Sequence, residues 1–221
     1  MTILDWIAVI CLATAILFLL SVTLFFILFI RAKKDVSKLT KIRTKNKKKR
    51  KRIIRAKRQA QKKQKRNILL SILCLIASLA FGAGSAYTIY YQASNLSEAD
   101  QKAIVNGYYY LNEIENQLSD AADNGDEKTI STNMNTLASR LSGFALNKAD
   151  YRISSEGQLL INRYYTSMKE LGVNLSSQSL EVYRDPKQLE TLKADVEKVK
   201  NNEKAVFKKF NVDEKSLAEQ K

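Results

Sequence analysis

Two uncharged runs bracket the most basic stretch of this 221-residue chain, and nothing else in the sequence restricts the fold as much. Residues 7–30, IAVICLATAILFLLSVTLFFILFI, and residues 68–91, ILLSILCLIASLAFGAGSAYTIYY, each comprise 24 apolar or small residues with no Asp, Glu, Lys or Arg. As a helix, each run reaches roughly 36 Å, enough to cross a ~30 Å hydrocarbon core with some tilt. Residues 31–66 lie between them, with 20 Lys/Arg and a single acid, Asp35. A buried helix of a soluble core does not account for two such runs around a segment of that charge.

The charge also sets an orientation. The first run lacks the positive leader and the A-x-A-like cleavage site of a signal peptide, and its positive flank follows it, starting at Arg31. Lys/Arg-rich loops stay in the cytoplasm, so the expected topology puts residues 31–66 inside and both termini outside. Trp6 at the start of the first span and Tyr87, Tyr90 and Tyr91 at the end of the second would form an aromatic belt at the outer interface. The organisation that follows is a first transmembrane helix within 1–30, a polybasic cytoplasmic loop over 31–66, a second transmembrane helix over 67–91 and an extracytoplasmic helical domain over 92–221. The formal net charge of +15 resides in the basic segment, because residues 92–221 carry 17 basic and 20 acidic side chains. Abundant Lys, Asn and Ile with one Pro and no His resembles the composition of a low-GC bacterium, which suggests a bacterial plasma membrane.

Small residues on the spans mark a helix–helix contact, since they let backbones approach closely in lipid. On the second span Ser71, Cys74, Ser78, Gly82 and Ser85 recur at helical spacing, with Ala80 and Gly84 as a further small pair. On the first, Ala8, Cys11 and Ala15 do so. The inner half of the first span is bulky (Phe25, Phe26, Phe29), so the tightest contact is expected near the outer leaflet. The stripe could also serve another protein's helix or a second copy. No Asp, Glu, Lys or Arg lies within either span, which argues against a transporter or pump acting alone.

The basic side chains Lys47, Lys48, Lys49, Arg50, Lys51, Arg52, Arg55, Lys57, Arg58, Lys62, Lys63, Lys65 and Arg66 fit an anionic-lipid contact at the inner leaflet, where each Lys/Arg contributes about 1 kcal/mol. A helix is expected from about Ile53 into the second span. Nucleic acid ranks below lipid as a partner of this segment, which has no aromatic side chain for stacking and no reading motif. Orientation alone needs only a handful of these charges.

Residues 92–221 show helical periodicity and no period-two pattern. Ser97 and Asp100 resemble a capping box opening a helix to about Ala122, with Ile104, Tyr108, Leu111, Ile114 and Leu118 on one face. After the Asn124-Gly125 turn a second helix carries Ile130, Met134, Leu137, Ala138 and Leu141. A third starts at Ser154 or Ser155, with Leu160, Tyr164, Met168 and Leu171 inward, and Gly172 is expected to stop it. Asp185-Pro186 opens a fourth, whose seam of Leu189, Leu192, Val196, Val199, Glu203, Val206 and Phe210 is broken only by Glu203. This seam suits either an internal core or a coiled-coil docking surface. The whole reads as an all-α protein, a two-span hairpin followed by a bundle of about four helices. In the run Tyr108, Tyr109, Tyr110 at least one ring is expected to be exposed, making it the candidate surface for a protein partner.

Enzyme motifs do not assemble. There is no His, and the two cysteines, Cys11 and Cys74, lie inside the apolar runs. A calcium loop starting at Asp120 would need a ligand at Ala122 and a Glu at Ser131. Glu113 and Glu115 fall on different helix faces. The sequon-like Asn95-Leu-Ser97 and Asn174-Leu-Ser176 matter only in a eukaryotic source. The expectation is a non-enzymatic protein without cofactor or metal, an accessory or scaffold subunit of a secretion, wall-synthesis or division assembly. A receptor with an outer sensing bundle and a nucleic-acid tether acting through residues 31–66 are the alternatives.

Overall fold

The computed structural model describes residues 2–44, 46–123, 125–178 and 180–218, which form helices and turns with no strand among them. Seven α-helices follow one another: α1 (Ile3–Lys41), α2 (Lys47–Ser94), α3 (Glu98–Ala122), α4 (Glu127–Ser142), α5 (Ser155–Ser176), α6 (Pro186–Phe210) and α7 (Glu214–Ala218). Short 3-10 turns, Gly143–Leu146 and Leu180–Arg184, precede α5 and α6. The chain divides into two compact units, Met1–Tyr90 and Tyr91–Lys221.

In the first unit, α1 and α2 are each long and apolar enough to cross a membrane. Both continue well past their apolar runs. The segment expected as a cytoplasmic loop is helical over 31–41 and again over 47–66. Lys, Arg, Gln and Ala are good helix formers, and residues 31–66 contain no Gly or Pro to interrupt them. The helix expected from about Ile53 therefore starts six residues earlier, at Lys47.

In the second unit, α3, α4, α5 and α6 close around one apolar core that includes Ile104, Leu111, Ile114, Met134, Ile161, Met168 and Val196. Side chains cap the starts of these helices. Ser97 accepts from the Asp100 N–H (3.1 Å), Asp126 from Thr129 (2.9 Å), Ser154 from Gly157 (3.3 Å) and Asp185 from Lys187 (3.0 Å). The α6 seam faces this core: Leu189, Leu192, Val196, Val199 and Val206 are buried, and so is Glu203.

Two sequence expectations change in α5. Its buried line runs through Ile161 rather than Leu160, which is only half-buried. Gly172 does not stop the helix, which continues to Ser176. Gly172 is buried where α5 crosses α4: a Cβ there would lie 2.5 Å from the Ser142 nitrogen and 2.7 Å from the Ala138 carbonyl oxygen. The glycine serves close helix approach and not termination, a distinction that local sequence does not carry.

Candidate functional site

The α1–α2 pair is the first feature to consider. Three serine hydroxyls of α2 donate to carbonyl oxygens of α1: Ser85 to Ala8 (3.0 Å), Ser78 to Ala15 (2.9 Å) and Ser71 to Val22 (3.4 Å). The donors step down by seven residues while the acceptors step up by seven, so the helices run antiparallel in one heptad register. A hydroxyl can reach a helix carbonyl on another helix only if the two backbones are close, and Ala8 and Ala15 permit that approach. The bond nearest to Phe25 and Phe29, from Ser71, is the longest of the three.

Not every stripe residue meets α1. Ser71, Ser78 and Ser85 are buried, and Cys74 is half-buried. A Cβ at Gly82 would meet nothing within 4 Å, whereas one at Gly84 would lie 3.9 Å from the Cys11 sulfur. Phe18 and Phe81 stack with ring centroids 5.9 Å apart.

The same seam runs on into the basic arms, which sequence reading missed. On α1 the covered positions are Ala8, Cys11, Ala15, Phe18, Val22, Phe25, Phe29, Ala32, Val36 and Leu39, at alternating spacings of three and four. On α2 the basic arm contributes half-buried Ile53, Ala56, Ala60 and Gln64, and Asn67 is buried. Phe29 shares a groove with Arg58, Gln61, Lys62, Gln64 and Lys65. Covered positions at coiled-coil spacing thus continue along both arms. Lys47, Lys48, Lys49, Arg50, Lys51, Arg52, Arg55, Arg58, Lys62, Lys63, Lys65 and Arg66 are exposed, with Lys57 half-buried. The signal was present as Phe25, Phe29, Ala32, Val36, Leu39, hidden by the charges between them.

The tyrosine run lies on α3. The expectation of an exposed ring is not met: Tyr108 is buried, and Tyr109 and Tyr110 are half-buried. Each has an anchor. Tyr108 packs on Phe207 (centroids 6.1 Å), the Tyr109 hydroxyl donates to the Leu217 carbonyl (2.9 Å), and the Arg140 guanidinium lies 5.4 Å over the Tyr110 ring. Long chain segments and an arginine stem cover rings that a single-helix projection leaves bare. Tyr109, Tyr110, Glu113, Asn116, Leu137 and Arg140 still line a shallow groove between α3 and α4.

Two buried carboxylates hold the bundle's polar interior. Asp100, 3% exposed, accepts from the Ser97 hydroxyl (2.6 Å), the Tyr165 hydroxyl (2.8 Å) and the Asp150 N–H (3.1 Å). It ties α3, α5 and the 147–154 loop together, and the Ser154 N–H donates to the Ala93 carbonyl (3.0 Å). Glu203, 2% exposed, accepts from the Tyr164 hydroxyl at 2.5 Å. Burial pushes its carboxyl up to about 7; the Tyr164 hydrogen bond and the Lys200 ammonium pull it down less strongly. Burial likewise raises both tyrosine hydroxyls, with Glu203 and Asp100 adding to the effect. Among the described residues, no buried side-chain nitrogen or oxygen lacks a hydrogen-bond partner, and no group of three His, Cys, Asp or Glu could hold a metal. Compared with known proteins, the chain matches no family, no curated protein and no solved structure.

Proposed function

We propose that this chain is an integral membrane protein without catalytic activity, an accessory or scaffold subunit of a cell-envelope assembly. Helices α1 and α2 span the bacterial plasma membrane as a hairpin with both termini outside. The second unit then lies outside the cytoplasm and binds a protein partner. The α3–α4 groove carries this reading, because the tyrosines singled out by sequence meet Arg140 and Leu137 there. Tyr and Arg on a partly apolar, hydrogen-bonding surface are the residue types that dominate protein interfaces. The absence of charge within the spans supports a structural role for the hairpin over ion movement.

Purification from mild detergent tests the reading. The wild-type chain is expected to bring down one partner under growth conditions that express the assembly, and the Tyr110→Ala, Arg140→Ala double variant is expected to lose it while remaining folded. Recovery of wild-type protein alone under every condition, or equal partner recovery with both chains, rejects the assignment.

A further inference from the structure

Two observations combine at the basic arms: they are helical, and their covered positions keep the spacing of the serine-bonded hairpin. The seven-residue steps of the serine bonds set Lys62–Arg66 beside residues 27–31, the inner end of the first apolar run. Those charges sit at headgroup level. Lys47–Arg52 lie ten to fifteen residues farther along α2, roughly 15–22 Å at a rise of ~1.5 Å per residue. At a screening length of ~8 Å that is about two to three lengths, which leaves roughly a tenth of the attraction a surface charge feels. An isolated flexible loop would fold these charges back onto the leaflet. A helix that is continuous from Lys47 into the second apolar run carries its tip away with the helix axis instead.

We infer that the tip Lys47–Arg52 binds the phosphate backbone of a nucleic-acid duplex inside the cell, while Lys62, Lys63, Lys65 and Arg66 contact lipid. The inference rests on the membrane-spanning reading. Six consecutive basic residues cover every face of the helix, and residues 36–66 contain no acid. A cluster of this density without an acid suits a partner of high negative charge density, and a duplex carries one charge per ~1.7 Å of axis. The segment has no aromatic ring, so unstacked bases find nothing to stack on and backbone contact is what remains. An acidic protein surface fits less well. Exposed Ile42 and Ile54 are too few to anchor a protein interface.

The test uses the full chain in zwitterionic phosphatidylcholine nanodiscs, with fluorescence anisotropy of a ~30-base-pair DNA duplex and the matching RNA duplex as a function of salt. Wild type is expected to bind at least one duplex. A tip variant with Lys47, Lys48, Lys49, Arg50, Lys51 and Arg52 replaced by Gln is expected to bind at least about tenfold more weakly, with the slope of log K against log salt reduced by about two to three, for the charges that face one duplex at once. Replacing Lys62, Lys63, Lys65 and Arg66 by Gln is expected to change affinity by less than about threefold at the same salt. An all-Arg tip is expected to bind like wild type, and equal circular dichroism shows that each variant keeps its helices. The inference is overturned if wild type binds neither duplex, if the two Gln variants lose affinity equally, or if discs with anionic phosphatidylglycerol abolish wild-type binding, which would put the tip on lipid. A chain that does not enter discs at all would instead overturn the membrane reading.

Discussion

Glu203 is the residue where sequence pattern and structure disagree most usefully. It occupies an apolar position of the α6 seam, and it is inside the core, bonded to Tyr164. Lys200, Glu115 and Glu214 all act on it, with Lys200 paired to Glu115 at 2.5 Å. Its folded carboxyl titrates near 7 against an ordinary 4.5, so the folded state holds a proton that the unfolded chain has lost between those values. The stabilising contribution is therefore full below about pH 4.5 and disappears as pH rises through 7. A shift of this size corresponds to at most about 3 kcal/mol. Glu203→Gln keeps an acceptor for Tyr164 and removes the charge. Denaturant unfolding is expected to show the variant more stable than wild type at pH 8 by about 1–3 kcal/mol, with the difference shrinking as pH falls and vanishing below about 4.5. An equal or lower stability at pH 8 would mean that Glu203 is stabilised as the anion.

At the scale of elements, the hairpin depends on one register, and Gly84 reports on it. Its Cβ position faces the Cys11 sulfur, so Gly84→Cys with Cys74→Ser is expected to form an intramolecular disulfide with Cys11 on mild oxidation. Gly82→Cys in the same background is expected to react poorly, since nothing lies within 4 Å of its Cβ. Non-reducing gel mobility reads both, and faster crosslinking from position 82 would reject this register. Much of the element layout was legible because it is local chemistry: uncharged runs, capping side chains and apolar faces at 3.6-residue spacing. Ser97, Ser154 and Asp185 each sit where a helix begins. What was not legible depends on a second helix. Gly172 and Gly84 look alike in sequence, and only the neighbouring helix tells a crossing point from a terminator. Likewise Val36 and Leu39 look like isolated apolar residues among lysines, yet both are half-buried in the structure.

The whole molecule separates its charge sharply. Residues 31–66 carry 20 basic side chains, and residues 92–221 have an acidic excess. If orientation were the only use of that charge, most of it would be redundant, because topology responds mainly to Lys and Arg near the ends of the spans. Arg31, Lys33 and Lys34 flank the first apolar run, and Lys62, Lys63, Lys65 and Arg66 flank the second. Replacing the six tip residues with Gln leaves 14 basic side chains between the spans, 20 less the six removed. Topology is therefore expected to survive that change and to suffer when the seven flanking residues are replaced instead. Leu146, 92% exposed, supplies a reporter as Leu146→Cys in a chain with Cys11→Ser and Cys74→Ser. A membrane-impermeant maleimide applied to intact cells is expected to label the reporter fully in the tip variant and only partly in the flank variant. Loss of labelling in the tip variant would make the tip itself the orientation signal and remove the reason to assign it a separate partner. Retained labelling there, with loss in the flank variant, divides the basic segment into a part that orients the hairpin and a part free to act inside the cell.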